Sequence, residues 1–317
     1  MRYGISIFMN LHLLARILAQ PWAVQHSHLA LLTQMVIAPE HHAAARRESA
    51  ETTPARARAG AAARIVTTPW GTRRQIACAP NVVPLNWEAA CACDEDALPE
   101  IPNNVTCILV WGILGRAWTS DDKWYLDPIE VDSITAEINA APPGNTVVLW
   151  FRSPGGITKG IPENAASLRS LGKGRRILAW SDECCASAAI WLASQCERIN
   201  ATPTADLGSI GVYISLYDWT EYLEKSGCKL ELFKAGSMKA MGLPGNPLSG
   251  EESAHLQGIV DITYNQFCSD VTRMRAVPET AMQGQCLRGA DAHAAVLVDG
   301  FFPSSAAYFA AVGQGKV

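Results

Sequence analysis

The stretch TVVLWFRSPGG, residues Thr146 to Gly156, decides the fold class of this chain of 317 residues. Its first six residues, Thr146–Phe151, form a short apolar run of the length of a buried strand. The run leads into Ser153-Pro154-Gly155-Gly156, whose proline and glycines end regular structure. The stretch therefore predicts a buried strand that stops at a glycine-rich turn.

On the N-terminal side, a second buried strand and a helix precede this stretch. Val105–Trp111 (VTCILVW) is the apolar run that predicts the strand. Asp127 and Pro128 predict the start of the helix, because aspartate favours the N-cap and proline the first helical position. The apolar face of this helix follows i, i+3, i+7 spacing and consists of Val131, Ile134 and Ile138.

On the C-terminal side, apolar runs and helical patterns continue to alternate. Ile177–Trp180 predicts a strand that leads into a helix from about Ala186 to Cys196. Ser249 and Glu252 form a capping box that opens a long helix, which runs to about Arg275. Strands that alternate with helices in this way predict an α/β domain. Further strands are predicted at Arg198–Ala201, Val212–Leu216 and Lys229–Phe233.

These patterns divide the chain into three regions. Residues 40–80, rich in alanine, arginine and proline and with almost no apolar periodicity, predict a linker. Residues 1–39 predict a small helical segment, and residues 81–317 predict the main domain, with its core at about 105–300. The first eighteen residues are largely apolar, but polar side chains interrupt them, so no membrane span is expected.

The composition narrows the function classes. The net charge is −4, so nucleic-acid binding by the whole chain has no electrostatic support, and the expected partners are polypeptides. The ten cysteines are scattered and predict reduced thiols in a cytoplasmic protein. Cys91 and Cys93 form half of a zinc-like spacing, but no second pair follows. Neither a metal nor another cofactor is therefore expected.

Ser187 is the candidate nucleophile. It lies where a predicted strand passes into a helix, a position that exposes a hydroxyl and directs helix N–H groups toward it. The same position also suits a simple helix cap. Gly155 and Gly156 bring backbone N–H groups to the surface without intervening side chains, as an oxyanion hole requires, although plain tight turns share this sequence.

A lysine is expected as the general base, because the seven histidines are poorly distributed for that task. Five of them lie in the N-terminal segment or the linker, His255 lies on the polar side of the long helix, and His293 lies near the end. A free lysine is almost fully protonated at neutral pH, so a catalytic lysine needs apolar surroundings that favour its neutral form. Lys239 has such surroundings in AGSMKAMG, and Lys234 is its local competitor.

Four ordered motifs together resemble the signal peptide peptidase A (protease IV) family of serine peptidases. The resemblance covers roughly residues 105–300, and it is specific because all four motifs agree in order. Within the family, the chain is most similar to phage and prophage head-maturation proteases of the lambda minor capsid protein C kind. The motifs are SPGG at 153–156, CASAA at 185–189, ATPTADLGSIGV at 201–212 and AGSMK at 235–239.

This resemblance implies a role for each candidate residue. Ser187 is implied to be the nucleophile, Lys239 its general base and Ser209 the hydroxyl that orients the lysine. The oxyanion hole is implied to come from backbone N–H groups, namely those of Gly155 or Gly156 and of Ala188. One departure is that alanines at 188 and 189 stand where many relatives have two glycines, which matters only if the turn needs a positive φ there.

The resemblance also implies a fold and partners. The fold is that of ClpP and the crotonases, built from stacked ββα units, and members assemble as rings or domes. The implied substrates are phage scaffold, capsid or portal-associated proteins, cleaved in the bacterial host cytoplasm or within the prohead. A homo-oligomer whose substrate groove spans neighbouring subunits is expected.

Other functions remain open at this point. A Ser/His/Asp protease of the ClpP type would need a histidine about 25 residues after the serine, and none lies between Ser187 and His255. A crotonase-like acyl-CoA enzyme shares the fold alone and has no need of Lys239. The remaining alternatives are a catalytically silent capsid or portal-associated structural protein and a bacterial signal-peptide-peptidase-like protease.

Overall fold

The computed structural model describes residues 22–24, 62–68, 73–94, 98–119, 122–123 and 126–317. The strands are β1 (Trp22–Val24), β2 (Ala62–Thr67), β3 (Arg73–Cys78), β4 (Val82–Pro84), β5 (Val105–Trp111), β6 (Leu114–Gly115), β7 (Ile129–Glu130), β8 (Thr146–Ser153), β9 (Gly155–Ile157), β10 (Ile177–Ala186), β11 (Arg198–Ala201), β12 (Asp206–Gly208), β13 (Cys286–Leu287) and β14 (Gly300–Phe301). The α-helices are α1 (Trp87–Asp94), α2 (Val131–Ala140), α3 (Ile161–Leu171), α4 (Ala188–Ala193), α5 (Thr220–Lys225), α6 (Gly250–Met274), α7 (Gly289–Ala294) and α8 (Ser305–Gly313).

The main sheet has eight strands and is largely parallel. Its order is β13-β12-β10-β8-β5-β4, with β11 beside β10 and β14 beside β11. The five strands from β12 to β4 run parallel to one another, and only β13 is antiparallel to its neighbour. Every residue of β5 is buried, as expected of a parallel strand covered on both faces. The predicted α/β fold is therefore confirmed.

A smaller sheet, of order β1-β9-β6-β7, lies at the ends of the main strands. The strand β8 is followed by the short β9 and then by α3, and β5 is followed by β6, β7 and then α2. This repetition confirms the predicted ββα units. At Gly156 the backbones of β9 and β6 come so close that an added Cβ would lie 1.8 Å from the carbonyl oxygen of Leu114, so only glycine fits.

Apolar side chains cover both faces of the main sheet. One face packs against α2, α3, α4 and part of α6, and α2 presents the predicted face of Val131, Ile134 and Ile138. The other face packs against α1 and α8, where Trp180 stacks on Tyr308 with ring centroids 4.3 Å apart. Burying one such large side chain contributes about 1.5–3 kcal/mol, so both layers stabilise the sheet.

The structure corrects the predicted linker. Residues 62–67 and 73–78 form an antiparallel hairpin, β2–β3, in which Ile76 and Cys78 are buried. A disulfide joins Cys78 to Cys93 of α1, so the expectation that all ten cysteines are reduced is wrong for these two. Pairing and burial of alternate side chains outweigh the arginine-rich composition of this region. Residues 40–61 of the predicted linker lie outside the described residues.

The N-terminal segment differs from the predicted helical piece where it is described. Residues 22–24 are the strand β1, which pairs with β9, and the rest of residues 1–39 lies outside the described part. None of the helices in the described ranges is both long and apolar enough to cross a membrane.

Residues 212–249, here called the arm, form no sheet of their own. The predicted strand 229–233 is absent, and of 212–216 only Tyr213 makes a bridge. A strand needs a neighbour for its N–H and C=O groups, and the described part of the chain offers none here. Several large apolar side chains of the arm are exposed, namely Tyr217, Tyr222, Leu230, Leu232, Phe233, Leu243 and Leu248.

Candidate active site

Ser187 lies at a strained turn between β10 and α4. Its φ and ψ are 56° and −119°, which a residue with a Cβ adopts only when its surroundings force it. The side chain is 1% exposed, and its Oγ is buried with no hydrogen-bond partner in the described part of the chain. A strained strand-to-helix turn that carries a serine is the arrangement of a nucleophile elbow. An unpartnered buried hydroxyl at this point is costly unless a ligand or another group meets it.

Ser209 lies beside Ser187 because of the register of two strands. Ala186 of β10 is aligned with Gly208 of β12, and each serine follows its aligned residue. The N–H of Ser187 donates to the carbonyl of Gly208 over 2.7 Å. Ser209 is buried, and its φ of 52° is also positive. The structure thus brings together two of the residues that the sequence selects from separate motifs.

The glycines of the SPGG turn also lie next to Ser187. Ser153 at the end of β8 is aligned with Cys185 of β10, and Gly155 and Ser187 each lie two residues further along. The N–H of Gly155 donates to Ser153 Oγ over 3.2 Å, and the φ of Gly155 is 104°. The backbone donors expected to form the oxyanion hole are therefore in the region of Ser187, and the N–H of Gly155 is bonded to the Ser153 hydroxyl.

Ala188 begins α4 directly after Ser187. Neither Ala188 nor Ala189 is among the residues with positive φ, because Ser187 takes up the strained conformation itself. The two alanines are fully buried, and the N–H of Ala188 lies in the first turn, where helix donors have no partner within the helix. This turn therefore accepts alanine at both positions, 188 and 189, where many relatives have glycine.

A buried polar network holds α4 against the long helix α6. Trp191 Nε1 donates to Asp270 Oδ2 over 3.0 Å, and Gln195 Nε2 donates to the carbonyl of Asp270 over 3.1 Å. The rings of Trp191 and Phe267 stack with centroids 4.3 Å apart. Asp270 is 2% exposed, so these contacts fix the helix that follows the nucleophile.

Lys239 makes no hydrogen bond to Ser187. It lies in the turns of the arm and is exposed, and Ser187 Oγ has no partner among the described residues. The expectation that Lys239 is buried against the nucleophile is therefore not met within one chain. Ala240, directly after it, has a φ of 84°, so the backbone here is held in a particular shape.

The competing bases are occupied or exposed. Lys234 Nζ donates to the carbonyl of Ser237 over 3.0 Å and lies 4.0 Å from a carboxylate oxygen of Glu252. The amine of Lys234 is therefore bound to other groups of its own chain. His255 and His293 are both exposed, and neither is bonded to Ser187.

The cysteines before the nucleophile are unsuited to its role. Burial raises the pKa of the Cys185 thiol well above its usual range, and burial together with nearby acidic groups does the same for Cys184. Since the thiolate is the reactive form, both side chains are inert at neutral pH. Ser187 therefore remains the candidate nucleophile at this turn.

Sequence reasoning missed two residues that support the site. In the sequence, Ser153 stands out only as part of the SPGG turn. A polar residue at the end of an otherwise apolar strand is, however, a signal that its side chain makes a hydrogen bond. Asp270 lies within the long helix, three positions after Phe267 on nearly the same face. An acidic residue on an apolar helix face predicts a buried partner, here Trp191.

Known proteins match parts of this chain. Residues 169–313 match the model of Peptidase family S49, and this region contains Ser187, Ser209 and Lys239, whereas Gly155 and Gly156 precede it. The head-tail preconnector protein GP5 of Enterobacteria phage P21 is 29% identical over 138 residues, which are 44% of this chain and 28% of that protein. The capsid assembly protease C of Escherichia phage lambda is 30% identical over 126 residues, which are 40% of this chain and 29% of that protein.

A solved structure also aligns with the chain. It is the ClpP protease catalytic domain of Plasmodium falciparum, with a TM-score of 0.32 and 13% identity over 63% of this chain and 85% of that one. The chain spans less than a third of the length of each of the two phage relatives, so their similarity concerns this region and not the whole of either protein.

Proposed function

We propose that the protein is a serine endopeptidase that uses Ser187 as nucleophile and Lys239 as general base, because residues 169–313 match the model of Peptidase family S49. The observation that carries this proposal is the Ser187 turn, with its φ of 56° and its buried, unpartnered hydroxyl. If the hydroxyl had no function, a glycine at this position, or a side chain that caps α4, would make the protein more stable, because it would relieve the strain or satisfy the helix N–H groups.

The proposed reaction is acyl transfer in two steps. The neutral Lys239 amine takes the proton of Ser187 as its Oγ attacks the substrate carbonyl carbon, and the protonated amine then passes that proton to the leaving amine. The tetrahedral oxyanion is stabilised by the backbone N–H of Ala188 and by that of Gly155 or Gly156. Water then hydrolyses the acyl-enzyme by the same route, and Ser209 holds the lysine in position.

We infer that Lys239 reaches Ser187 from a neighbouring subunit. Lys239 is exposed within its own chain, and the arm that carries it also exposes apolar side chains, of which Phe233 is 91% exposed. A concentration of exposed large apolar side chains in one segment is typical of protein interfaces. A ring or dome of identical chains would cover the arm and complete each site with a lysine in trans.

The proposed substrates are polypeptides of a phage head, namely scaffold, capsid or portal-associated proteins, processed in the bacterial cytoplasm or the prohead. The similarity to the lambda capsid assembly protease C supports this choice. The proposed peptidase domain is 81–317, with its core at about 105–300. The disulfide between Cys78 and Cys93 joins β3, which precedes this region, to α1 within it. Such a bond is expected to be reduced in the cytoplasm.

A fluorophosphonate probe tests the proposal directly. We expect the oligomer to react at Ser187, with the adduct located by mass spectrometry, and Ser187→Ala to remove it. Ser194, the buried residue that caps the C-terminal end of α4, provides the matched control, and Ser194→Ala should keep the labelling. A catalytically silent structural protein would show no labelling that depends on Ser187.

A further inference from the structure

The strand β9 has two edges, and the chain itself covers both. One edge pairs with β6, and the other pairs with β1, which lies at the end of the small sheet. The pairing with β1 is antiparallel, with Trp22 opposite Ile157, Ala23 opposite Gly156 and Val24 opposite Gly155. Three residues from the N-terminal region are thus bound, through backbone pairing, to the strand that carries both candidate oxyanion glycines.

This covered edge lies next to the nucleophile. Gly155 follows Ser153 by two residues, Ser187 follows Cys185 by two residues, and Ser153 and Cys185 are aligned partners. The register of β1 runs toward this point, because Val24 is opposite Gly155 and the earlier residue Trp22 is opposite Ile157. A polypeptide that pairs with β9 in the place of β1 therefore runs with its C-terminal end toward Gly155 and Ser187.

We propose that residues Trp22–Val24 are an internal, substrate-like strand that occupies the peptide-binding edge of β9 and competes with polypeptide substrates for it. This inference rests on the proposed peptidase function. An extended peptide recognises a strand edge by main-chain hydrogen bonds, which any sequence with N–H and C=O groups offers. The occupant and the substrate therefore use the same backbone donors and acceptors, and only one of them binds at a time.

The occupant is suited to be displaced. The strand β1 has only three residues, and in the described part of the chain it pairs with β9 alone. Each main-chain hydrogen bond contributes about 0.5–1.5 kcal/mol net, so a strand this short is held weakly by its backbone. A longer substrate strand, or one that also contacts a neighbouring subunit, would replace it.

Peptide binding to the full chain tests the inference without catalysis. The protein carries Ser187→Ala, and the probe is a fluorescein-labelled peptide with the sequence QPWAVQH of residues 20–26. The variant Ala23→Pro with Val24→Pro removes two backbone donors of β1. The matched control, Ala23→Gly with Val24→Ala, keeps both donors. We expect the proline variant to bind the peptide about tenfold more tightly than the parent, and the control to bind like the parent.

Hydrogen exchange and cleavage assays complete the test. The amide of Ile157 should exchange faster in the proline variant, and added peptide should restore its protection. Equal peptide affinity in all three proteins, or no binding to any of them, would overturn the inference. With Ser187 present, the proline variant should also raise kcat/KM for a polypeptide substrate several-fold. If the proline variant binds the peptide more tightly but no cleavage is seen with Ser187 present, the result would support competition by β1 and contradict the proposed peptidase function.

Discussion

Ser187 and Ser209 occupy equivalent places on neighbouring parallel strands, one residue beyond the aligned pair Ala186 and Gly208, and both have positive φ. The N–H of Ser187 donates to the carbonyl between them, that of Gly208, over 2.7 Å. The N–H of Ser209 donates in turn to the carbonyl of Gln285 over 2.7 Å, so backbone hydrogen bonds hold both serines in place. The consequences of this relationship can be measured.

Replacing Ser187 with glycine should stabilise the protein while abolishing cleavage. The conformation at φ 56° and ψ −119° strains a residue with a Cβ but not glycine. We expect the free energy of unfolding to rise by about 1 kcal/mol, as measured by urea denaturation. Ser181→Gly, in the middle of β10, is the control and should destabilise, since a regular strand gains nothing from glycine. A loss of stability in Ser187→Gly would show that the turn is not strained.

Mixing two inactive variants should restore cleavage if Lys239 acts in trans. Ser187→Ala and Lys239→Ala are each expected to be inactive as pure oligomers. After the two are mixed at equal ratio and reassembled, about a quarter of the sites pair an intact serine with an intact lysine from the neighbour. The measurement is the rate of peptide cleavage. No recovery in confirmed mixed oligomers would contradict the trans arrangement, and Lys234→Ala should stay active throughout.

Ser209→Ala should lower kcat and leave the fold unchanged. It removes a hydroxyl that orients the lysine, and loss of orientation alone costs about 10- to 1000-fold in rate. The steady-state rate with a peptide substrate gives kcat, and near-UV circular dichroism checks the fold. A Ser209→Ala variant with the parent rate would exclude the orienting role.

Gly156→Ala should disrupt the approach of β9 to β6. The added Cβ would lie 1.8 Å from the Leu114 carbonyl oxygen, and this backbone atom has no room to move aside. We expect a loss of about 3 kcal/mol of unfolding free energy, together with loss of cleavage. Gly174→Ala is the control, because nothing lies within 4 Å of its Cβ, and its stability should change by less than about 0.5 kcal/mol.

The contribution of Asp182 to stability should depend on pH. Burial acts to raise the pKa of this carboxyl, but hydrogen bonds from Arg152 and Trp150 outweigh it and lower the pKa below its usual value. A lowered pKa in the folded state gives stability that is present above the unfolded value of about 3.9 and is lost as pH falls through the folded value.

Asp182→Asn should therefore cost about 2 kcal/mol of unfolding free energy at neutral pH, because charged hydrogen bonds are lost. The difference from the parent should shrink below about pH 4, where the parent carboxyl takes up a proton. Urea denaturation across this range measures it. Glu197→Gln, which alters a more exposed pair with Arg176, is the control and should cost less than about 1 kcal/mol. A difference that stays constant with pH would contradict the cause given for the lowered pKa.

Local patterns predicted much of the fold. The runs Val105–Trp111 and Arg198–Ala201 form β5 and β11 with the predicted bounds. The capping box of Ser249 and Glu252 opens α6, with both reciprocal hydrogen bonds present. These patterns depend only on residues that are close in sequence, so they can be recognised without knowing how the rest of the chain folds.

Other features depend on contacts that local patterns do not contain. Asp127 and Pro128 do not cap α2, which begins after Glu130, because residues 129–130 pair with β6 as β7. On α6, Phe267 and Val271 are buried, whereas Met274, which follows at helical spacing, is 42% exposed. The alignment of β10 with β12, which brings the two serines together, depends on pairing across the sheet.

The pairing of β1 with β9 also constrains the order of folding. Trp22 and Ile157 are partners although more than 100 positions separate them along the chain. Closing so long a loop costs more chain entropy than the local pairings of β8 with β5 or β10, so this contact forms late. The edge of β9 is thus bare while the rest of the sheet assembles, and a newly made chain meets other extended polypeptides before its own N-terminal strand arrives.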